Sequence, residues 1–153
     1  MVELITVIVI VGVMAALAAP RFTSRNAFDS RGFRDQTLAT LHHAQKIAIA
    51  QHRNVCATFT INSVTLTIDS DVPTDGVCNP APAGNLISPT GGVAPYTVAS
   101  QQATYAALPP ALMFDALGRP RTAAGVLLAA NQVIAVSDYA LPITVERDTG
   151  YAR

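Results

Sequence analysis

From Leu4 to Ala19 the chain reads LITVIVIVGVMAALAA, a run without a single charge, with Glu3 just before it and Arg21 just after. Counted from the first residue, about 19 residues rising ~1.5 Å each make a helix of ~28 Å, close to the hydrocarbon thickness of a bilayer. A cleaved secretory signal is the competing explanation, but it wants a basic region before the apolar run and a small-residue cleavage site after it. Here the first charge is acidic. The remainder fits an appendage on one domain, since 153 residues supply a single core and little more. Half the residues are hydrophobic, 13% are charged and the mean hydropathy is +0.35, too apolar for an ordinary soluble domain. Ten basic and ten acidic residues cancel, so no whole-chain field gathers nucleic acid or anionic lipid.

Arg21, Arg25, Arg31 and Arg34 follow the apolar run, and nothing basic precedes it. The positive-inside rule applied to these residues alone leaves the C-terminal part in the cytoplasm, unless a basic leader precedes them.

The opening MVELITVIVIVGVMAALAAPRF resembles the N-terminal signature of type IV pilins and type II secretion pseudopilins, whose basic leader ends in Gly and whose mature chain starts Phe-Thr-Leu-Ile-Glu. Aligning Glu3 with that glutamate also sets Gly12 and Pro20 on the family's glycine and helix-kinking proline, and Arg21-Phe22 continues a common form. Met1 then corresponds to the third residue of a mature subunit, and a preceding leader with Lys or Arg is expected. Such a leader places the globular part outside the cytoplasm. The resemblance implies a prepilin peptidase that cleaves it and methylates the new N-terminus.

Glu3 has its own physical logic, because a carboxylate at the edge of hydrocarbon is costly unless paired. In the family the partner is the N-terminal amine of a neighbouring subunit, and the pair sets axial register; a glutamate lying among headgroups is the plain alternative. Gly12 leaves room for close helix contact or local unwinding, or is simply a tolerated small residue. Pro20 deletes a helix hydrogen bond and favours a kink or an end to the helix.

Three stretches follow from periodicity: residues 1–20 as the apolar helix, 21–53 as its amphipathic continuation and 54–153 as a β-sheet domain. Phe33, Leu38, Leu41, Ala44, Ile47 and Ala48 recur mostly three or four residues apart, predicting a helix over 33–51 that lays its stripe on a sheet, with Gly32 loosening the join. From Asn54 the period becomes two: NVCATFTI and VTLTID predict a hairpin, with Asn62 taking a positive φ in the turn. Residues 70–95 are rich in proline and glycine and read as a loop. LMFDALGRP, QVIAVSD and PITVERDTGYAR supply further short strands. FDALGRP and ITVERDTGYAR resemble the C-terminal sheet of minor pilins of the mannose-sensitive haemagglutinin pilus, of H-type pseudopilins and of FimT-like minor pilins. The expected fold is therefore α+β, a type IV pilin fold with a long N-terminal helix packed on an antiparallel sheet.

Cys56 and Cys78 are the only cysteines, and export of the domain makes a bridge between them the first expectation, with free thiols as the alternative. A metal site using His52 and Cys56 lacks a third and fourth ligand. His42 and His43 point about 100° apart on a helix and form no ligand pair, so both read as solvated or sheet-facing. Ser24, Ser30 and the aspartates form no nucleophile elbow, carboxylate dyad or phosphate loop, so no catalytic residue, cofactor or metal is expected. FimT-like pilins bind DNA through C-terminal arginines, and Arg119, Arg121 and Arg153 resemble such a patch, although Gly118-Arg119-Pro120 is equally turn chemistry.

The expected function is that of a structural subunit, not an enzyme. It is held in the bacterial inner membrane and polymerised with other subunits through its N-terminal helix into an extracellular pilus or a periplasmic pseudopilus. A minor pilin or pseudopilin is the first reading. A major pilin, a pilin with a DNA-binding or adhesive surface, and a plain single-span membrane protein are the alternatives.

Overall fold

The computed structural model describes every residue except 1, 23–24, 90 and 92–93, and gives no side-chain environment for residues 16–22 and 25–26. Two helices precede seven short strands: α1 Val2–Phe22, α2 Arg25–Gln51, β1 Val55–Phe59, β2 Ser63–Ile68, β3 Thr97–Ala99, β4 Leu112–Phe114, β5 Pro120–Thr122, β6 Gln132–Ile134 and β7 Ile143–Val145. The fold is α+β, with a helix packed on antiparallel sheet. The continuous helix expected from the sequence is described as two elements whose junction, 23–24, lies outside the described residues.

Helix α1 runs two residues past Pro20 to Phe22. Among the described residues, no helix is long and apolar enough to cross a membrane. The apolar run of the sequence continues beyond residue 15 into positions whose side chains lie outside that description. Helix α2 begins at Arg25, eight residues before the expected start, and passes through Gly32 without a break, which corrects the expected join there. Its end is set by His52 at φ 51° and by the Arg53 amide donating back to the Ala48 carbonyl at 3.2 Å. That six-to-one bond across a left-handed residue satisfies a carbonyl the helix would otherwise leave open.

The buried stripe of α2 differs from the apolar stripe read from the sequence. Phe33, Leu41, Ala44 and Ala48 are buried as expected, but Ser30, Thr37 and Thr40 are buried with them, while Leu38 and Ile47 are only partly covered. The threonines tolerate burial because their hydroxyls are partnered: Thr40 donates to the Gln36 carbonyl at 2.8 Å, and Thr37 shares a 3.0 Å hydrogen bond with the Tyr105 hydroxyl.

The larger sheet has the order β3-β2-β1-β4-β5, every pair antiparallel. Period-two burial decides its faces: Val55, Ala57, Phe59, Val64, Leu66, Leu112 and Phe114 turn toward α2, while Cys56, Thr58, Thr65 and Thr67 turn away. Strands β6 and β7 form a second, two-stranded sheet, and Ile134, Val136, Ile143, Val145 and Ala152 complete the same core. The β1–β2 hairpin is present, but Asn62 does not take a positive φ. The loop spans more than two residues, so it needs no mirror-image turn. The Thr60 amide bonds the Ser63 carbonyl at 2.9 Å, and the two hydroxyls meet at 2.6 Å.

Candidate assembly surface

Every residue from Val2 to Ala15 is exposed, and the ten large apolar side chains from Val2 to Met14 range from 55% exposure at Val7 to 76% at Val2. A helix apolar on all sides has no polar face to turn toward water. Withdrawing ten such side chains from water is worth on the order of 10 kcal/mol or more. That rivals the whole net stability of a domain, so leaving these side chains in water is costly. Glu3 is exposed on its first turn, no cation contacts it among the described residues, and Thr6 donates to its backbone carbonyl at 2.8 Å. A Cβ added at Gly12 would meet nothing within 4 Å, so in the single chain the glycine serves no internal contact. Pro20 lies in the helical backbone of α1, and its side chain is outside the described residues.

Cys56 and Cys78 are bridged, with Cα atoms 6.1 Å apart, and no free cysteine remains. This bond removes Cys56 from any metal set with His52. It ties the Pro/Gly-rich segment to the outer face of β1 and walls a cavity of about 470 Å³ with Thr58, Thr67, Met113 and Pro80. The same segment holds an acidic group that sequence reasoning missed, because Asp69, Asp71 and Asp75 bring carboxylate oxygens within 4.8 Å of one another. These oxygens already have turn partners. Asp69 accepts from the Asp71 amide at 3.2 Å and the Gly76 amide at 2.8 Å, Asp71 from Asn79 at 3.1 Å, and Asp75 from the Val77 amide at 2.8 Å.

Arg119 and Arg121 converge on one carboxylate. Asp115, 7% exposed, receives the Arg119 guanidinium and the Arg121 Nε, both at 3.0 Å, together with the Leu117 and Arg119 amides at 3.0 and 2.9 Å. Burial alone raises the Asp115 carboxyl, but these bonds outweigh it and hold its pKa below the usual carboxylate value. Two of the three arginines singled out by sequence thus share an anion within the β4–β5 turn. Arg153 lies apart from them, 3.7 Å from Glu146.

His42, His43 and Gln45 are where long-range structure adds most. The His42 Nε2 donates to the Ala152 carbonyl at 2.7 Å while its ring stacks on Tyr151. Gln45 Nε2 donates to the Gly118 carbonyl at 3.1 Å and the Thr149 carbonyl at 2.7 Å, so one amide braces two C-terminal turns. These turns touch: a Cβ at Gly150, φ +73°, would run into the Gly118 carbonyl. His43 packs edge-on against Tyr96, its Nε2 is buried without a partner, and burial followed by the charge of Lys46 lowers its pKa from 6.5. Tyr105, buried under Phe33 and Phe59, has its pKa pushed up to about 12 by burial, against the opposing bond from Thr37.

Comparison with family models, with characterised proteins and with solved structures found no match to this chain.

Proposed function

We propose that this chain is a structural subunit of a type IV pilin-class filament, a minor pilin or pseudopilin. It is held in a bilayer through α1 and built into the filament when α1 exchanges lipid for the α1 helices of neighbours. The observation that carries this reading is the helix apolar on every side from Val2 to Ala15, with Glu3 as its sole charge in that stretch. Lipid and a bundle of like helices are both apolar media, so transfer between them costs little and assembly is reversible. A carboxylate left at the rim of such a bundle requires a cation, and a neighbouring subunit's N-terminal amine is the one the resemblance implies. The Cys56–Cys78 bridge supports a domain outside the cytoplasm, since disulfides persist in oxidising compartments. The reading includes no catalytic role.

Glu3→Ala separates anchoring from assembly. The variant should remain in the membrane fraction while its recovery in sheared, sedimented filaments falls at least about tenfold, the equivalent of ~1.4 kcal/mol per contact. Recovery equal to the wild-type chain would remove Glu3 from the assembly contact.

A further inference from the structure

Lys46 is the sole lysine of the chain. It is exposed on α2, and among the described residues it is the one Lys or Arg side chain with neither an ion pair nor a hydrogen bond. The others are engaged within the chain: Arg31 and Arg34 with Asp35, Arg53 with the Asp69 and Asp71 carbonyls, Arg119 and Arg121 with Asp115, Arg147 with Asp148 and Arg153 with Glu146. Asp29, 17 residues before Lys46 on the same helix, is likewise exposed and has neither kind of partner among the described residues.

The surroundings of Asp29 suit a cation. It lines a cavity of about 290 Å³ between the start of α2 and the turn after β3, together with Phe28, Phe33, Gln36, Ser100 and Gln102. Phe28 is 75% exposed, a ring that adds nothing to the domain's own core. A carboxylate beside an aromatic ring, with glutamine carbonyls around them, attracts an ammonium group. The methylene stem of a lysine fits the rest, since it packs on apolar surface while its charged head reaches the carboxylate.

One chain cannot join its own pair. On an α-helix 17 residues span about 25 Å and leave the two side chains about 100° apart around the axis, so Asp29 and Lys46 of one chain do not meet. Two-fold pairing of α2 helices would need both groups on one face. The contact therefore runs head to tail and repeats from copy to copy instead of closing on a dimer.

We propose that Lys46 of one copy of this chain enters the Phe28–Asp29 cavity of the next and sets the stagger between adjacent subunits. The inference rests on the filament reading above. A single exposed ion pair contributes too little to hold two copies together, so α1 supplies the association and this contact supplies its register.

The test treats sheared, sedimented filaments of the full chain with a water-soluble carbodiimide, which condenses a carboxylate and an adjacent amine into an amide with loss of water. Peptide mass spectrometry should find Lys46 joined to Asp29, in chains that run as dimers and higher multimers on a denaturing gel. Lys46→Gln and Asp29→Asn should each abolish this link and lower filament recovery about threefold, with Tm little changed because both side chains are exposed. The exchanged pair, Asp29→Lys with Lys46→Asp, should restore both. Filaments that contain the chain without the link, Lys46 joined instead to another carboxylate such as Asp138, undiminished recovery of both single variants, or an exchanged pair no better than either of them each overturn the contact and leave the filament reading standing. Absence of the chain from filaments overturns both.

Discussion

Asp115 shows how a residue's partners decide what its neighbours are free to do. Two guanidiniums share its carboxylate, so the β4–β5 turn presents far less positive potential than Arg119 and Arg121 suggest when read along the chain. Asp115→Ala should lower unfolding stability by about 2–3 kcal/mol, read as a drop in Tm by circular dichroism, because it leaves two half-buried cations against each other. It should also raise salt-dependent retention on immobilised DNA, and unchanged retention would deny these arginines any latent DNA affinity. His43 gives a pH dependence of definite sign. Its folded pKa is lowered by burial and then by Lys46, so as pH falls the unfolded chain takes up the proton first. Stability therefore declines below about pH 6.5 and levels off once the folded ring is also protonated. His43→Gln should flatten the fall in Tm between about pH 7 and 5, and an unaltered slope would place the acid sensitivity on another group.

At the scale of elements, strong local periodicity was readable and long-range partnership was not. Helix α1 follows from an unbroken apolar run, the β1–β2 hairpin from alternation, and the strands in LMFDALGRP, QVIAVSD and PITVERDTGYAR from short apolar segments between turns. Strand β3 was hidden because three residues just past a Pro/Gly-rich stretch carry no period, and its identity as a strand comes wholly from pairing with β2. The buried face of α2 was partly misread because Thr37 owes its place to Tyr105, 68 residues away. Glu3, Gly12 and Pro20 were singled out by resemblance, whereas the Gln45 brace and the His42–Ala152 bond offered no local signal. The Cys56–Cys78 tie has a measurable share in element stability. Closing a loop over a separation of 22 residues should contribute about 3 kcal/mol, so the double replacement by Ser should lower Tm and speed proteolysis within 70–80. A Tm equal to the wild-type chain would mean that the Asp69, Asp71 and Asn79 hydrogen bonds hold that segment unaided.

The molecule divides into a helix whose residues from Val2 to Ala15 are all exposed and largely apolar, and a domain that closes its own core. One charge in the middle of α1 should therefore affect location and leave the domain intact. If α1 is the anchor proposed above, Val9→Asp should cost about 3 kcal/mol in a bilayer and move the chain from the carbonate-resistant membrane fraction toward the soluble one, with the β-sheet circular dichroism signal kept. Retention in the membrane fraction would show that another part of the chain anchors it. The Gln45 brace and the His42 bond beside it have a consequence for synthesis. The helix emerges early from the ribosome, but the carbonyls that fasten it, at Gly118, Thr149 and Ala152, are made 73, 104 and 110 residues later. Contacts so distant along the chain close slowly and last. The nascent domain thus stays unlocked through most of translation, and its C-terminal turns are the last parts needed to close it.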